Sequence, residues 1–339
     1  LVPYDGDGLL TAIRLVRPMG YGVTYLSDLN PLGYKHIPYL ELAWDYRRDH
    51  SVIGSQLRCH GELFTKGLGM HSTSRLAYRV PADARRFAAE LGIDDAQSIR
   101  TVRGAIDCGV TLIDSAQAYH TSEATLGRAL RDGYRDRCFL ATKVSRDYSR
   151  QGVRAAMENS LRDLRTSHVD LYQIHSWGHE QYPIEETMTE MARLQEEGKT
   201  RYIGVSNFNA KQMETAYGIA PFHSSQPRYN MFGRGIEIED LPYCERKGIG
   251  NLAHSPLGKG LLTGRYAPGH LFPTDDERSE RPTFQGELFA RYLAVAESLK
   301  EVASDKGISL VQMAIAWCLR QSAVTCVLVG AKSEEQVKE

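Results

Sequence analysis

Four side chains in the middle of the chain could together deliver a proton: Asp114, Tyr119, Lys143 and His175. A phenol has a pKa of about 10 and is a weak acid at neutral pH, but a nearby ammonium group favours the phenolate and lowers that pKa. A carboxylate beside the Lys would hold the cation in place, and an imidazole can donate a hydrogen bond to a carbonyl oxygen. Such a group suits proton delivery to a carbonyl that receives a hydride.

Each of these residues also has an ordinary structural explanation. An Asp at the end of a strand commonly caps the next helix, a lone Tyr is commonly a packed aromatic, and a His can be a core residue with its hydrogen bonds satisfied. Lys143 fits such an explanation less well, because it closes an apolar strand and a buried Lys requires a partner. We therefore interpret the four residues as one site.

The elements that would position this site form a regular alternation. From Asp95 onward, short β-like runs alternate with segments of helical period, which predicts a parallel α/β sheet or barrel. The predicted strands are 110–114, 138–143, 170–175, 202–207, 224–230, 250–255 and 324–330. The predicted helices are 97–107, 123–130, 154–164, 184–197, 210–217, 241–246, 288–306, 310–320 and one that begins at 333.

Seven strands are one fewer than the eight that close a TIM (β/α)8 barrel, so we predict a barrel of this type that is either completed by another segment or left incomplete. In TIM barrels the catalytic residues lie at the carboxyl ends of the strands. Six successive predicted strands carry a polar residue at that end, namely Asp114, Lys143, His175, Asn207, Gln226 and Ser255.

Several motifs of this region occur in one order: IDSAQAYHTSEATLG, CFLATKV, VDLYQIH, YIGVSNF, SQPRYN and HSPLGKGLLTG. Together they resemble the aldo-keto reductase superfamily over about residues 95–339. The resemblance implies a (β/α)8 barrel that binds NADPH, less often NADH, and reduces the carbonyl group of aldehydes or ketones. It implies that Tyr119 is the general acid, that Lys143 lowers its pKa, that Asp114 pairs with Lys143, and that His175 positions the carbonyl.

The same resemblance implies the residues that contact the cofactor, and it implies no metal. The nicotinamide carboxamide would lie on Ser206, Asn207 and Gln226. The pyrophosphate would lie on a loop whose glycines let backbone N–H groups approach phosphate, which contains Ser255, Pro256, Leu257, Gly258 and Gly260. The adenosine side, with the 2′-phosphate at Lys332 and Ser333, would also contact Gly330 and Gln336.

Three features depart from the family pattern. His254 stands where an aromatic ring usually stacks on the nicotinamide, and an imidazole offers less area for this stacking. His120 stands where a Gly commonly follows the Tyr, which would narrow the mouth of the pocket. The family's last helix and tail do not follow Glu339, so the substrate is not predicted beyond a small carbonyl or sugar-like compound. Trp177, Tyr148 and Phe232 are candidate pocket walls, although loop packing explains them equally well.

Residues 1–93 have a different texture, with short apolar runs at 21–26, 36–40, 63–64 and 76–80 that predict an all-β, sandwich-like segment. This part resembles the carbohydrate-binding NPCBM module over about residues 23–95, most specifically in KGLGMHS. A carbohydrate could stack on Trp44, Tyr46 and His71, but ordinary packing is the commoner explanation of such residues.

Both family patterns are truncated where they meet, so the expected domains, 1–93 and 94–339, share an unusual junction. In one outcome, residues 87–92 (FAAELG) act as the first barrel strand, a suitable length for a strand. In the other outcome the barrel stays open between its second and eighth strands and the protein is marginally stable. We favour the first outcome.

Composition sets further limits. Lys plus Arg is 41 and Asp plus Glu is 42, which gives no general attraction to nucleic acid or to a membrane surface. The six cysteines show no metal-binding spacing, and we expect reduced thiols in a cytoplasmic protein. No apolar run reaches the length of about 20 residues that spans a membrane, and no signal peptide is recognised. Oligomeric state is left open.

We therefore expect an NADPH-dependent carbonyl reductase, with NADH as another cofactor that the sequence allows. Two alternatives stay open at this point. The first is an NADPH-binding, redox-responsive subunit with little turnover, and the second is a non-enzymatic carbohydrate-binding fusion with a defective barrel.

Overall fold

The structure is a computed structural model. It describes residues 95–119, 121–178, 181–273, 276–331 and 333–338, together with the backbone of nine short strands earlier in the chain. The chain forms two compact units, Leu1–Ser98 and Ile99–Glu339. The domain boundary expected at residues 93 and 94 stays a prediction.

The first unit is β-rich, in keeping with the sequence, and its sandwich arrangement stays a prediction. Its strands are β1 (Ala12–Val16), β2 (Val23–Tyr25), β3 (Gly33–His36), β4 (Arg47–Arg48), β5 (Leu57–Cys59), β6 (Glu62–Phe64), β7 (Leu68–Gly69), β8 (Ser74–Ala77) and β9 (Arg86–Glu90). They form a three-stranded antiparallel sheet, in the order β2-β1-β9, and the antiparallel pairs β3-β8, β4-β7 and β5-β6.

The segment expected to complete the barrel forms a strand but pairs elsewhere. Each of the five residues of β9 is paired with a residue of β1, from Ala12 opposite Glu90 to Val16 opposite Arg86. The expectation that residues 87–92 serve as the first barrel strand is therefore wrong. Antiparallel pairing is slightly more stable per residue than parallel pairing, and this strand has taken an antiparallel partner within its own unit.

The second unit contains a seven-stranded parallel sheet in the order in which its strands occur along the chain. These strands are β10 (Leu112–Asp114), β11 (Phe139–Val144), β12 (Val169–Ile174), β13 (Thr200–Ser206), β14 (Ser224–Gln226), β15 (Gly250–His254) and β16 (Val324–Leu328). Seven parallel strands with intervening helices make an incomplete TIM barrel, as the sequence predicts.

The helices follow the predicted alternation closely. They are α1 (Asp95–Asp107), α2 (Ser122–Ala129), α3 (Arg150–Leu164), α4 (Ile184–Glu196), α5 (Ala210–Ile219), α6 (Asp240–Lys247), α7 (Gly286–Asp305), α8 (Leu310–Leu319) and α9 (Glu334–Lys338). Capping explains several of their starts. The Ser149 side chain accepts a hydrogen bond from Gly152 N at the start of α3, and Asn209 and Ser309 form capping boxes at the starts of α5 and α8.

Short 3₁₀ segments not predicted from the sequence lie at Arg135–Arg137, Gly235–Glu237, Gly258–Thr263, Glu277–Glu280 and Pro282–Phe284. Most of this added structure is in the long connection between β15 and α7. Leu261 and Phe284 of this connection form a small apolar cluster with Phe289 and Leu293 of α7.

Burial changes systematically across the parallel sheet. All six residues of β12 are buried, whereas all three residues of the edge strand β10 are only partly buried. At the opposite edge, four of the five residues of β16 are partly buried or exposed. The main core therefore lies around the central strands, as is usual for a parallel sheet that helices cover.

Candidate active site

The polar strand ends meet at one edge of the sheet, because the strands are parallel and in register. Asp114 ends β10 opposite Ala141 of β11, and Gln226 ends β14 opposite Ser206 of β13. All of the predicted strand-end residues lie at this carboxyl edge, namely Asp114, Lys143, His175, Asn207, Gln226 and Ser255. This is the edge at which TIM barrels build their sites.

Lys143 is a fully buried cation held by two acceptors. Its side chain is 0% exposed, and its Nζ donates hydrogen bonds to Asp114 Oδ2 at 2.5 Å and to the Ser115 carbonyl oxygen at 2.8 Å. Burial lowers the pKa of the Lys143 ammonium group, whereas the Asp114 carboxylate acts in the opposite direction. The pair thus places a largely compensated charge beneath the site.

Tyr119 lies above this pair and next to His175. Its hydroxyl oxygen is 3.5 Å from His175 Nε2, and the two rings meet edge to face with centroids 5.5 Å apart. The Lys143 Nζ is 5.3 Å from the centroid of the Tyr119 ring. The Tyr119 residue is 45% exposed, so a substrate could reach it from solvent.

The pKa of Tyr119 is shifted upwards, whereas the sequence led us to expect a downward shift. Partial burial and, secondly, the Asp114 carboxylate raise the pKa of Tyr119 to about 12. Lys143 was expected to lower it, but its ammonium group is engaged by Asp114, whose negative charge acts on the phenol with the opposite sign. In this structure Tyr119 is therefore a protonated phenol at neutral pH.

His175 is a neutral imidazole at neutral pH. Burial, followed by the charge of Lys143, lowers the pKa of His175 to about 4. Its Nδ1 lies 2.7 Å from Ser145 Oγ, and its backbone N donates to the Val144 carbonyl oxygen at 3.1 Å. A neutral imidazole can still donate one hydrogen bond, which is what positioning a carbonyl oxygen requires.

A buried amide pair supports the carboxylate of Asp114 from below. Gln226 Nε2 donates to Asp114 Oδ1 and to Gln173 Oε1, both at 3.0 Å. Gln173 Nε2 in turn lies 3.2 Å from Ser224 Oγ and 3.4 Å from the Val205 carbonyl oxygen. The Asp114 carboxylate is thus fixed through both of its oxygens, by Lys143 and by Gln226.

His254 links the end of β15 to the end of β13, which lies two strands away in the sheet. Its Nε2 lies 2.9 Å from Asn207 Oδ1 and its Nδ1 lies 2.9 Å from Ser255 Oγ. Asn207, which has a left-handed backbone (φ 58°), donates from Nδ2 to the His175 carbonyl oxygen and to Ser206 Oγ. The imidazole that departs from the family pattern is therefore anchored by hydrogen bonds at both nitrogens.

The turn after β15 has an unusual backbone. Ser255, Gly258, Lys259 and Gly260 all have positive φ. A Cβ atom on Gly260 would lie 2.5 Å from the Tyr266 hydroxyl oxygen, so only glycine fits at this position. Pro256 and Gly258 of this turn are buried and Leu257 is partly buried. Such a turn is compact and places backbone groups at the carboxyl edge of the sheet.

The segment expected at the adenosine side follows β16. Gly330 is exposed, and the Gln336 backbone N lies 3.4 Å from Ser333 Oγ at the start of the short helix α9. Lys332 lies outside the described residues, as do His120 and the three residues proposed for sugar stacking, Trp44, Tyr46 and His71.

The three aromatic residues considered as pocket walls all have packing roles. Tyr148 is a core residue, 6% exposed, whose hydroxyl accepts a hydrogen bond from Ser176 N at 3.2 Å. Trp177 packs against Phe208 with ring centroids 5.0 Å apart, and Phe232 packs against Tyr292 at 4.8 Å.

Sequence reasoning missed two residues that contact the site, Ser145 and Gln173, and one buried carboxylate, Glu123, whose hydrogen bond lies outside it. Ser145 follows strand β11 and so carried the same strand-end signal as its neighbours. Gln173 is an amide inside an apolar strand, which is itself a signal of a buried polar contact. Glu123, 5% exposed, accepts a hydrogen bond from Thr142 Oγ1 at 2.6 Å, and nothing in its spacing indicated this contact.

Two kinds of feature are absent from the described part of the chain. No helix there is both long enough and apolar enough to cross a bilayer. Within the same residues, no group of three or more His, Cys, Asp and Glu side chains could hold a metal ion.

Comparisons with known proteins identify the family of the second unit. The model of the aldo/keto reductase family matches residues 85–339, and the model of the NPCBM/NEW2 domain matches residues 22–132. The aldo-keto reductase YhdN of Bacillus subtilis (strain 168) is 40% identical over 260 residues, which are 73% of this chain and 78% of that protein.

Solved structures give the same result. The glycerol dehydrogenase AKR11B4 of Gluconobacter oxydans is 37% identical with a TM-score of 0.68, covering 73% of this chain and 80% of the other. An aldo-keto reductase of Klebsiella pneumoniae in complex with NADPH is 30% identical with a TM-score of 0.58, covering 72% of this chain and 77% of the other. Because the family model covers most of the chain and these relatives share both sequence and fold, the chain belongs to the aldo/keto reductase family of oxidoreductases.

Proposed function

We propose that the chain reduces an aldehyde or ketone to an alcohol, with Tyr119 as the general acid. The observation that carries the proposal is the pair of groups at the open end of the barrel, the Tyr119 hydroxyl and His175 Nε2, which lie 3.5 Å apart. Two such groups can both donate to one carbonyl oxygen placed between them. The buried Lys143–Asp114 pair lies directly below.

The residues at the strand ends fit a nicotinamide nucleotide by their chemistry. Gln226 uses both N–H groups of its side chain on Asp114 and Gln173, which leaves its carbonyl oxygen as an acceptor for an amide. Ser206, Asn207 and Gln226 would hold the carboxamide, and the turn from Ser255 to Gly260 would hold the pyrophosphate. Gly330, Lys332, Ser333 and Gln336 would hold the adenosine side, as proposed from the family pattern.

NADPH is the cofactor we propose, with NADH as a weaker alternative. Support comes from two solved structures of aldo-keto reductases of Klebsiella pneumoniae, one in complex with NADPH and one in complex with NADP and acetate. When bound, the nucleotide would supply the hydride. We propose a small carbonyl compound, including sugar-like ones, as the substrate.

The roles of the side chains follow from their geometry. His175 donates to the carbonyl oxygen and orients it towards the phenol. Tyr119, protonated at neutral pH, gives its proton to the same oxygen as the carbonyl carbon is reduced. Lys143 stabilises the phenolate that results, and Asp114 keeps Lys143 charged and in place.

Replacement of Tyr119 by Phe tests this function. Loss of a general acid typically costs 10²- to 10⁴-fold in rate, so we expect turnover of aldehydes and ketones to fall by about that factor. NADPH affinity, measured by fluorescence titration, should not change. Tyr134→Phe is the matched control, because the Tyr134 hydroxyl donates to Asp107 at 3.0 Å at the opposite end of β10.

Two outcomes would contradict the proposal. Full turnover by Tyr119→Phe would exclude Tyr119 as the acid. No turnover by the unsubstituted protein over a panel of aldehydes, ketones and sugars, with NADPH bound, would exclude carbonyl reduction and favour an NADPH-binding subunit.

A further inference from the structure

The imidazole of His175 has a different partner at each ring nitrogen. Nδ1 lies 2.7 Å from Ser145 Oγ, a normal hydrogen-bond distance, whereas Nε2 lies 3.5 Å from the Tyr119 hydroxyl oxygen. Hydrogen bonds between N and O atoms in proteins commonly have heavy atoms about 2.7–3.2 Å apart. Ser145 is therefore the bonded partner of this imidazole, and Tyr119 is a neighbour at a longer distance.

Ser145 itself is held firmly. It is 8% exposed, and its backbone N donates to Gln117 Oε1 at 3.3 Å. The preceding residue, Val144, accepts the backbone hydrogen bond of His175 at 3.1 Å, so strand pairing sets the Ser145 hydroxyl beside the ring. The pairing of β11 with β12 thus fixes the position of the Ser145 hydroxyl next to His175 Nδ1.

A neutral imidazole carries one N–H group. The hydroxyl groups of Ser145 and Tyr119, next to the two ring nitrogens of His175, determine which nitrogen carries the proton. If Nδ1 carried the proton, Nε2 would present a lone pair to the Tyr119 hydroxyl, and the two should close to a normal hydrogen bond. The two atoms are instead 3.5 Å apart, at the limit of hydrogen-bond distance, which favours a donor on each side facing a shared third position. The proton then lies on Nε2, and Nδ1 accepts from Ser145.

We propose that Ser145 is a positioning residue that fixes the Nε2–H tautomer of His175 by donating its hydroxyl proton to Nδ1. This inference rests on the proposed function, since the Nε2–H group is the one that would donate to the substrate carbonyl. With the other tautomer, Nε2 would place a lone pair against the carbonyl oxygen and repel it. Ser145 acts through His175 and does not itself touch the substrate.

His254 provides an internal reference for this inference. Its Nε2 lies 2.9 Å from Asn207 Oδ1, an oxygen that can only accept, so Nε2 must carry the proton. Its Nδ1 then accepts from Ser255 Oγ at 2.9 Å. In this second Ser–His pair the tautomer is fixed by the amide as well as by the Ser, so it should not respond to a change at Ser145.

The test is a two-bond ¹H–¹⁵N correlation spectrum of the uniformly ¹⁵N-labelled full chain, recorded at neutral pH without cofactor or substrate. His175→Asn and His254→Asn spectra assign the two rings. We expect the Nε2–H pattern for both residues in the unsubstituted protein. In Ser145→Ala, His175 should change to a mixture of tautomers while His254 keeps its pattern, and Ser145→Thr should restore the pattern of His175.

Kinetics provide the second readout. Loss of one hydrogen bond corresponds to roughly a 2- to 13-fold effect, and we expect kcat/KM for the carbonyl substrate to fall by about that factor in Ser145→Ala with an unchanged Kd for NADPH. An Nδ1–H pattern in the unsubstituted protein would overturn the proposal, as would a His175 spectrum unaffected by Ser145→Ala. If Ser145→Thr does not fold, the Ser145→Ala spectrum decides alone.

Separate measurements distinguish a chain without carbonyl reductase activity from one in which Ser145 does not set the tautomer of His175. Failure of the proposed function would be seen as absence of turnover in the unsubstituted protein. Failure of the Ser145 proposal would be seen in the spectrum, which needs no turnover and no ligand.

Discussion

The phenol of Tyr119 is under two opposed electrostatic influences, and the structure shows which one prevails before a ligand is present. The Asp114 carboxylate and partial burial both favour the neutral phenol, and the pKa of Tyr119 is raised to about 12. Lys143 favours the phenolate, but the carboxylate next to it compensates most of its charge. The resting site is therefore prepared to give a proton rather than to take one.

This state predicts different pH profiles for the two directions of the reaction. Carbonyl reduction needs the phenol, which persists well above neutral pH, so its rate should be nearly constant between about pH 6 and pH 9. Alcohol oxidation needs the phenolate, and below the pKa its fraction rises about tenfold per pH unit. Initial rates in both directions, measured from pH 6 to pH 9, test this.

The oxidation profile should lose its slope in Tyr119→Phe. A reduction rate that falls steadily between pH 6 and pH 9 in the unsubstituted protein would show that the acid has a pKa in that range, and would contradict the direction found here.

The buried pair below Tyr119 makes a second prediction at this scale. Lys143→Met removes the cation and leaves Asp114 next to Gln226 without a counter-charge, which typically costs about 3–5 kcal/mol for a buried pair. The double variant Lys143→Met/Asp114→Asn removes both charges, so its free energy of unfolding should recover towards that of the unsubstituted protein. Urea unfolding followed by circular dichroism measures both.

Turnover should stay low in the single and in the double variant, because the phenolate then has no cation to stabilise it. Equal stability of the single and double variants would show that Asp114 is solvated well enough not to need Lys143.

At the scale of elements, apolar runs ending in polar residues predicted all seven parallel strands and the edge at which the site forms. This works because a parallel strand is buried on both faces and its carboxyl end faces the site, so hydrophobicity and function change at the same residue. The bounds of α4, predicted as 184–197 and found as Ile184–Glu196, show how well helical period defines a helix.

Contacts between distant strands were not predictable in this way. Whether His254 stacks on a ligand or bonds to Asn207 depends on the separation of two strand ends, which a single sequence does not specify. The partners of Gln173 lie on β13 and β14, and depend likewise on how these strands are placed. The strand β9 could pair either with the parallel sheet or with β1, some seventy residues earlier, and it pairs with β1. The length of the segment does not indicate which of these two partners it takes.

The gradient of burial across the parallel sheet predicts unequal losses for the same substitution. Ile174 of β12 is 0% exposed, and Ile174→Ala should cost about 2–5 kcal/mol because a cavity forms in the core. Ile113 of the edge strand β10 packs against the same cluster but is only partly buried, so Ile113→Ala should cost less, about 1–2 kcal/mol.

Urea unfolding of the two variants, with the slope of the transition compared, measures the difference. Equal losses would mean that β10 is as well covered as the centre of the sheet, and so would contradict its position at an edge.

At the scale of the whole molecule, the two family matches overlap between residues 85 and 132. The overlap contains β9, which the reductase match includes and the sheet of the first unit uses. It also contains α1, which begins in the first unit and continues into the second, and α2 of the second unit. Within the segment that both families include, β9 thus joins the sheet of the first unit and α2 belongs to the second unit. The second unit forms its parallel sheet from the seven strands β10 to β16.

An open sheet of seven strands can bind a nucleotide only if its carboxyl edge keeps the geometry found here, and this makes NADPH binding a test of the whole second unit. A ligand present at 100 times its Kd stabilises the folded state by about 2.7 kcal/mol. For a unit of this size we expect the Tm to rise by roughly 5–10 °C. Differential scanning fluorimetry with a concentration series of NADPH measures the shift.

Tyr119→Phe is the matched variant for this measurement, because it alters the proposed acid and leaves the proposed carboxamide ligands Ser206, Asn207 and Gln226 in place. Tyr119→Phe should show the same rise in Tm as the unsubstituted protein. Gln226→Leu should show a smaller rise, because this substitution removes an amide whose nitrogen donates to Asp114 and whose oxygen can accept from the cofactor. A Tm that does not respond to NADPH at any concentration would contradict cofactor binding by the seven-stranded barrel, and with it the proposed reaction.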